Sequence, residues 1–212
     1  LVRCICGIHN PDAGQVTVNG NPVRFSNPEQ AREAGIETVH QNLALVEDLT
    51  VWQNLFLSRE LTSGFGPLRL MNRRTMTKEA TTMVSTLAIN VPSVKSRVRR
   101  LSGGQRQAVA IARAAGWGSE IVMMDEPTAA LGVQETAKVE ELIHDLRARG
   151  ISILLISHNF DQVLRLSDAV TVMRSGRTVA SRRAATTTGD ELVGLVTGAI
   201  PADPDYVKGE SA

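Results

Sequence analysis

The 212-residue chain is poor in aromatic side chains, which make up only 3% of it, and its net charge is only +1. Both deficits argue against a nucleic-acid surface, which needs stacking platforms or basic patches. No apolar run approaches the roughly 20 residues that span a bilayer, so we expect any membrane attachment to be through a partner. The two cysteines, Cys4 and Cys6, are spaced awkwardly for a bridge and predict reduced core thiols of a cytoplasmic protein.

Apolar runs alternate with an amphipathic segment in the second half of the chain. Residues 121–124 and 153–156 are continuous apolar runs, typical of strands that are buried on both faces of a sheet. Residues 134–149 carry apolar side chains at helical spacing. Strand, helix, strand predicts an α/β fold with a mainly parallel sheet and flanking helices. With 42% hydrophobic residues, one domain can account for the core.

The first forty residues predict a small antiparallel piece followed by one strand of the main sheet. Residues 15–18 and 23–25 flank the turn signal Asn19-Gly20 and read as paired strands. Residues 29–34 predict a short helix that Gly35 ends, and residues 36–40 predict a strand that leads to Gln41.

Residues 43–57 are unusually apolar for a loop and short helix, with Thr50 as a predicted N-cap. Packing inside a helical subdomain and contact with a partner explain this equally well. Residues 61–72 contain Gly64, Gly66 and Pro67 and predict an irregular connector, after which residues 73–87 predict a helix.

The end of the chain predicts two closing strands and a short helix. The strands, 169–173 and 178–180, flank Ser175-Gly176, and a capping box at 188–191 starts a helix that reaches Val196. Residues 201–212 are polar or turn-forming, so we expect a disordered tail.

Two stretches carry residues suited to phosphate chemistry. Leu101-Ser102-Gly103-Gly104-Gln105 precedes a predicted helix at 105–115, and a glycine turn at a helix N-terminus binds anions. Asp125 and Glu126 end a predicted buried strand, where open α/β sheets place their ligands. Either stretch alone would also fit a plain structural junction.

Together the stretches resemble the ATP-binding subunit of ABC transporters. The resemblance rests on LSGGQRQAVAIAR from Leu101, IVMMDEPTAAL from Ile121, and Ser157-His158, in that order and spacing. It implies a P-loop NTPase-like domain over residues 1–200, with an inserted helical subdomain at about 42–118. It also implies ATP and Mg²⁺ as cofactors.

The resemblance assigns roles to single residues. Asp125 and Gln41 would hold Mg²⁺, Glu126 would polarise the attacking water, and Gln41 and His158 would help position the reacting groups. The signature residues bind nucleotide held by a second, head-to-tail copy, and they are Leu101, Ser102, Gly103, Gly104 and Gln105.

Two departures from the family pattern matter. The phosphate-binding loop would stand immediately before Leu1, so we expect this chain to be inactive alone, as a fragment or a natural pseudo-ATPase. Gly132 replaces the aspartate that bridges the two copies. The stretch ALGVQET resembles monosaccharide importers of the ribose, xylose and fructose type.

These features predict the ATP-hydrolysing subunit of a sugar importer at the cytoplasmic face of the inner membrane. Its partners would be membrane-embedded permease subunits, a second copy of itself and, indirectly, a periplasmic sugar-binding protein, with no nucleic acid. The alternatives are an ABC ATPase for another substrate, a non-transport ABC ATPase of DNA repair or translation, and a catalytically silent regulatory module. An intact Glu126 and His158 argue against the silent module.

Overall fold

The chain divides into two units, Leu1–Leu154 and Leu155–Ala212, in the computed structural model, which describes residues 1–63 and 70–207. Within the described residues, the helices of the first unit are α1 (Val2–Ile5), α2 (Pro28–Glu33), α3 (Val51–Leu55), α4 (Arg73–Thr86), α5 (Gly103–Ala115) and α6 (Val133–Ala148). Its strands are β1 (Val16–Val18), β2 (Asn21–Val23), β3 (Ile36–Val39), β4 (Thr62–Ser63), β5 (Leu70–Met71), β6 (Ile121–Asp125) and the start of β7 (Ser152–Ile156).

The main sheet has the order β3-β6-β7, and β3 runs parallel to β6. The register pairs Ile36 with Ile121 and Val39 with Met124. Val122, Met123 and Met124 are fully buried, as expected for an apolar strand with neighbours on both sides. The predicted α/β fold with a parallel sheet is therefore confirmed.

A compact apolar cluster joins the start of the chain to this sheet. Its buried members are Cys6, Phe25, Ala31, Ile36 and Met123. Both cysteines are free thiols, and Cys6 is the buried one. Burying a large apolar side chain such as Phe25, Ile36 or Met123 contributes about 1.5–3 kcal/mol. The short α1 is therefore stabilised by packing against this cluster rather than by its own length.

Side-chain caps start the helices where the sequence placed them. Asn27 accepts a hydrogen bond from the Gln30 amide at the start of α2. Thr50 and Gln53 form a reciprocal capping box at the start of α3. Each such cap stabilises a helix by about 1 kcal/mol.

Three local predictions need correction in the first unit. The second hairpin strand is Asn21–Val23 rather than 23–25, because the two-residue turn sets the register and Phe25 turns into the core. Thr62–Ser63 pairs with Leu70–Met71 inside the predicted irregular connector, while Gly64, Gly66 and Pro67 lie outside the described residues. Strand β7 is only partly buried, since it forms an edge of the three-stranded sheet.

The second unit consists of a helix, a β-hairpin and two further helices in its described part. These are α7 (Phe160–Leu166), β8 (Ala169–Arg174), β9 (Arg177–Arg183), α8 (Gly189–Thr197) and α9 (Pro204–Val207). Its apolar core contains Val172, Val179, Ala180, Leu192 and Leu195. The predicted closing strands are confirmed, and they extend further than the sequence indicated.

Arg182 organises the charged side of this unit. It donates to Glu191 at 2.6 Å and to both carboxylate oxygens of Asp203 at 2.6 and 2.9 Å. Of the predicted capping box at 188–191, the structure shows the bond that the Thr188 side chain accepts from the Glu191 amide. The Glu191 side chain pairs with Arg182 instead. Because Asp203 is held in this way and residues 204–207 form a helical turn, the segment to 207 is ordered where we expected disorder.

Residues 208–212 lie outside the described residues. The limits of the predicted helical subdomain, about 42–118, stay a prediction. Across the described residues, no helix has both the length and the apolar character needed to cross a membrane.

Gly7 is a sharp test of how α1 joins the core. Its φ is +74°, and a Cβ there would lie 2.5 Å from the Asn27 carbonyl oxygen. Gly7→Ala should lower the free energy of unfolding by about 3 kcal/mol, because strain from the left-handed backbone adds to the clash. Gly14 has a similar φ of +78° with nothing within 4 Å, so Gly14→Ala should cost only about 1–2 kcal/mol. Urea unfolding measures both, and equal losses would contradict the packing described.

Candidate functional site

The parallel register of β3 and β6 brings predicted site residues to one edge of the sheet. Val39 ends β3 opposite Met124, so Gln41 follows one strand end, while Asp125 ends the other strand and Glu126 follows it. Gln41 is exposed, whereas both carboxylate residues are partly buried. Carboxyl ends of neighbouring parallel strands form the crevice in which such folds bind ligands.

Glu126 has an unusual backbone. Its φ is +51°, in the left-handed region that non-glycine residues adopt at a cost of about 1–2 kcal/mol. The next residue, Pro127, is buried, and the Glu126 carbonyl accepts from the Ala129 amide. The chain therefore leaves the strand in a tight, strained turn at this residue, and strained positions of this kind often lie at functional sites.

Asp125 and Gln41 supply oxygen atoms of the kind that Mg²⁺ prefers. Among the described residues, no group of three or more His, Cys, Asp and Glu side chains could hold a metal ion. One carboxylate and one amide fit a Mg²⁺ site that completes its shell with phosphate oxygens and water, as nucleotide sites do. The described residues do not form a metal site in which protein side chains supply all of the ligands.

The signature segment forms a helix N-terminus in the same unit. Ser102 is the N-cap of α5, and it forms a capping box with Gln105, with bonds of 3.0 and 3.3 Å between the two. Gln105 also donates to the Asn90 carbonyl at 2.8 Å. Helix α5 starts at Gly103, two residues before the predicted helix, so both glycines belong to its first turn.

Gly103 and Gly104 pack against the start of α6. A Cβ on Gly104 would lie 2.9 Å from the Glu135 Cβ, and one on Gly103 would lie 3.2 Å from a methyl group of Leu131. The glycines therefore have an internal packing role, besides any role toward a phosphate. Sequence reasoning missed this role, because nothing in the local motif indicates which element covers it.

Glu135 is a residue of this region that sequence reasoning missed. Its side chain lies against the first turn of α5, and its Oε2 is 3.7 Å from the position of a Cβ on Gly103. The polar groups of Ser102, Gly104 and Gly132, with Ser102 contributing most, hold the pKa of Glu135 below its ordinary value. The sequence could have indicated this residue, because Glu135 is the third helical residue after the N-cap Gly132. A glutamate at that position can reach back to the N-cap amide.

An arginine on the signature helix holds the loop that follows Gln41. Arg113 donates to the carbonyls of Leu43 at 3.1 Å and Ala44 at 2.8 Å. Burial lowers the pKa of Arg113, which Glu37 opposes. This loop is thus tied to the far end of α5.

Arg59 continues the contact region beside that loop. Arg59 forms an ion pair with Glu37 and lies over the ring of Trp117, 5.2 Å from its centroid. Phe56 packs edge-on against the same ring at 4.9 Å. These contacts link α3, β3 and the residues just after α5.

The apolar stretch 43–57 is largely satisfied within the unit. Val51, Leu55 and Phe56 are at most 1% exposed, while Val46 and Leu57 remain 43% and 37% exposed. Core packing, one of the two alternatives for this stretch, therefore accounts for its larger side chains. Val46 and Leu57 are the large apolar residues of this stretch that remain exposed enough to contact a partner.

His158 lies in the second unit, between β7 and Asn159, the N-cap of α7. It is exposed, and the neighbouring Ser157 accepts from the Asn159 amide and donates to Gln162. The local turn is therefore well defined by hydrogen bonds. The role of His158 toward Glu126 stays a prediction.

Residues 1–129 match the family model described as ABC transporter. The chain is 43% identical over 203 residues to the fructose import ATP-binding protein FrcA of Rhizobium meliloti, covering 94% of this chain and 78% of that protein. It is 39% identical over 197 residues to the xylose/arabinose import ATP-binding protein XylG of Sulfolobus acidocaldarius, covering 93% and 77%. It spans a smaller share, 39%, of the ribose import ATP-binding protein RbsA of Bacillus subtilis, at 36% identity.

Solved structures agree with the fold. A nucleotide-free ATP-binding cassette from an ABC transporter superposes with a TM-score of 0.75 at 25% identity, covering 98% of this chain and 80% of that one. A dimeric cassette in a post-hydrolysis state, bound to ADP and Pi, gives 0.69 at 21% identity over 86% and 78%. The predicted P-loop NTPase-like fold is thereby confirmed.

The lowered pKa of Glu135 makes a pH-dependent contribution to stability. An acid with a depressed folded-state pKa stabilises the fold above its ordinary pKa of 4.5, and loses that contribution as pH falls through the folded value. Glu135→Gln should therefore be less stable than wild type at pH 7, and the difference should shrink below about pH 4.5. Lys138 favours the charged form, while Glu141 and Asp145 line the same groove.

Urea unfolding at a series of pH values measures this difference. Glu141→Gln is the matched control, an exposed carboxylate on the same helix. A Glu135→Gln difference that is constant with pH would contradict the carboxylate's interaction with the signature segment.

Proposed function

Because this chain belongs to the ABC transporter family of ATP-binding proteins, we propose that it is the ATP-hydrolysing subunit of a sugar importer. The observation that carries the proposal is the parallel pairing of β3 with β6, whose ends lead to Gln41 and to Asp125-Glu126, in a chain that also presents the signature helix. The names of the similar proteins support sugar import, namely fructose, xylose or arabinose, and ribose.

The proposed chemistry is transfer of the terminal phosphoryl group of ATP to water. Asp125 and Gln41 would hold Mg²⁺, which supplies charge neutralisation at the β and γ phosphates. Glu126 accepts a hydrogen bond from the attacking water and orients it, and its fixed backbone turn suits that task. His158 donates to the terminal phosphate.

The second half of the site would come from another copy of the chain. Leu101 and the residues up to Gln105 form a helix N-terminus, whose dipole and amide groups attract phosphate. We propose a head-to-tail pair in which each signature segment faces the nucleotide held by the other copy.

The remaining partners follow from transport. We propose that the ATPase pair binds permease subunits at the cytoplasmic face of the membrane, and that a periplasmic sugar-binding protein delivers the substrate. The exposed Val46 and Leu57, beside the loop that Arg113 holds, are the candidate contact with the permease. Nothing in the composition favours nucleic acid.

Replacing Glu126 tests the proposal in the full-length gene product. Glu126→Gln should keep ATP binding, lower hydrolysis at least about a hundredfold and accumulate an ATP-bound dimer, because the amide cannot take a proton from water. ATPase assays and light scattering after gel filtration measure these effects. Glu79→Gln, an exposed carboxylate on α4, is the control and should behave as wild type. Hydrolysis by Glu126→Gln within twofold of wild type would refute the assignment.

A further inference from the structure

The phosphate-binding donors of the signature segment lie beside a carboxylate of the same chain. Glu135 packs against Gly103 and Gly104, and Ser102 and Gly104 favour the charged form of its carboxylate. The Ser102 hydroxyl and the Gly104 amide are the groups that, under the proposed function, would donate to the terminal phosphate of ATP held by the other copy. An internal anion thus lies beside donors that an external anion needs.

The capping box fixes this arrangement. The Ser102 oxygen accepts from the Gln105 amide at 3.3 Å, which leaves the hydroxyl hydrogen for another acceptor. The Glu135 side chain is close along its length, since a Cβ on Gly104 would lie 2.9, 3.0 and 3.3 Å from the Cβ, Cγ and Cδ of Glu135. Packing therefore holds Glu135 against the signature segment.

A terminal phosphate and Glu135 cannot share these donors. The Ser102 hydroxyl has a single hydrogen, and two anions brought together at one helix N-terminus repel each other. We propose that Glu135 is a further residue of the nucleotide-binding surface, an internal carboxylate that competes with the partner-held phosphate and so weakens the closure of two copies. The proposal rests on the shared site described above.

The structure offers Glu135 a place to go when it is displaced. A groove of about 300 Å³ lies beside it, lined by the residues that follow α4, the start of α5 and one side of α6. Lys138 lines this groove and lies three residues further along α6, within reach of an ion pair with a released Glu135. Displacement therefore needs a side-chain movement and no unfolding of α6.

Glu135→Gln separates the charge from the hydrogen bonds. The amide keeps the size of the carboxylate and an oxygen that can accept a hydrogen bond, but the repulsion of phosphate disappears. In the full-length gene product that also carries Glu126→Gln, Glu135→Gln should lower the ATP concentration for half-maximal dimer roughly tenfold. Glu126→Gln with Glu141→Gln is the matched control and should equal the Glu126→Gln parent. Analytical ultracentrifugation with Mg²⁺ and ATP measures the dimer.

Salt dependence gives a second readout that a merely structural role would not change. Salt screens like-charge repulsion, so raising ionic strength should favour the parent's dimer more than that of the Glu135→Gln double variant. If Glu135→Gln lowers the melting temperature by many degrees, the salt dependence of dimer formation is measured instead on the Glu126→Gln parent and on its Glu141→Gln derivative. Both keep Glu135, so salt should increase the dimer of both to the same extent.

The outcomes distinguish this inference from the proposed function. A Glu126→Gln parent that never dimerises with ATP would refute the shared site itself. A parent that dimerises, with Glu135→Gln leaving the ATP requirement unchanged or raising it, would overturn the competition by Glu135 alone. A parent dimer that salt weakens would count against it in the same way.

Discussion

The parallel pairing of β3 with β6 is the constraint on which the candidate site depends. Because Val39 lies opposite Met124, the residues that follow the two strands must emerge at the same edge of the sheet. The register thus brings Gln41 and Asp125 to one edge of the sheet, although 84 positions separate them, from 41 to 125. Consecutive, fully buried residues of β6 pack on both of its faces and hold the strand in place.

A second constraint joins the signature helix to α6. The glycines at the start of α5 leave room for Glu135, whose side chain lies against Gly104. Ser102, Gly104 and Gly132 all favour its charged form. One carboxylate thus lies near the starts of two helices, where amide groups lack partners within their own helix.

Sequence reasoning reached the order of the elements and the residues of the strand-end motif, because apolar periodicity, caps and turn residues act locally. It failed where contacts between residues far apart in the sequence determine the local structure. Phe25 was assigned to a strand but turns into a core that includes Met123. The tail to Asp203 was expected to be disordered but is held by Arg182. The contact of Glu135 with the signature segment could not be recognised from its neighbours, since it crosses 31 positions, from 104 to 135.

The central claim is that two copies complete each other's site, and complementation tests it most directly. Ser102→Arg blocks the signature segment and Glu126→Gln blocks hydrolysis, so each full-length variant alone should be inactive. When the two are mixed in equal amounts, half of the dimers are mixed and each contains one intact site, so the ATPase rate should rise to about a quarter of wild type. A mixture that stays as inactive as its components would contradict the shared site.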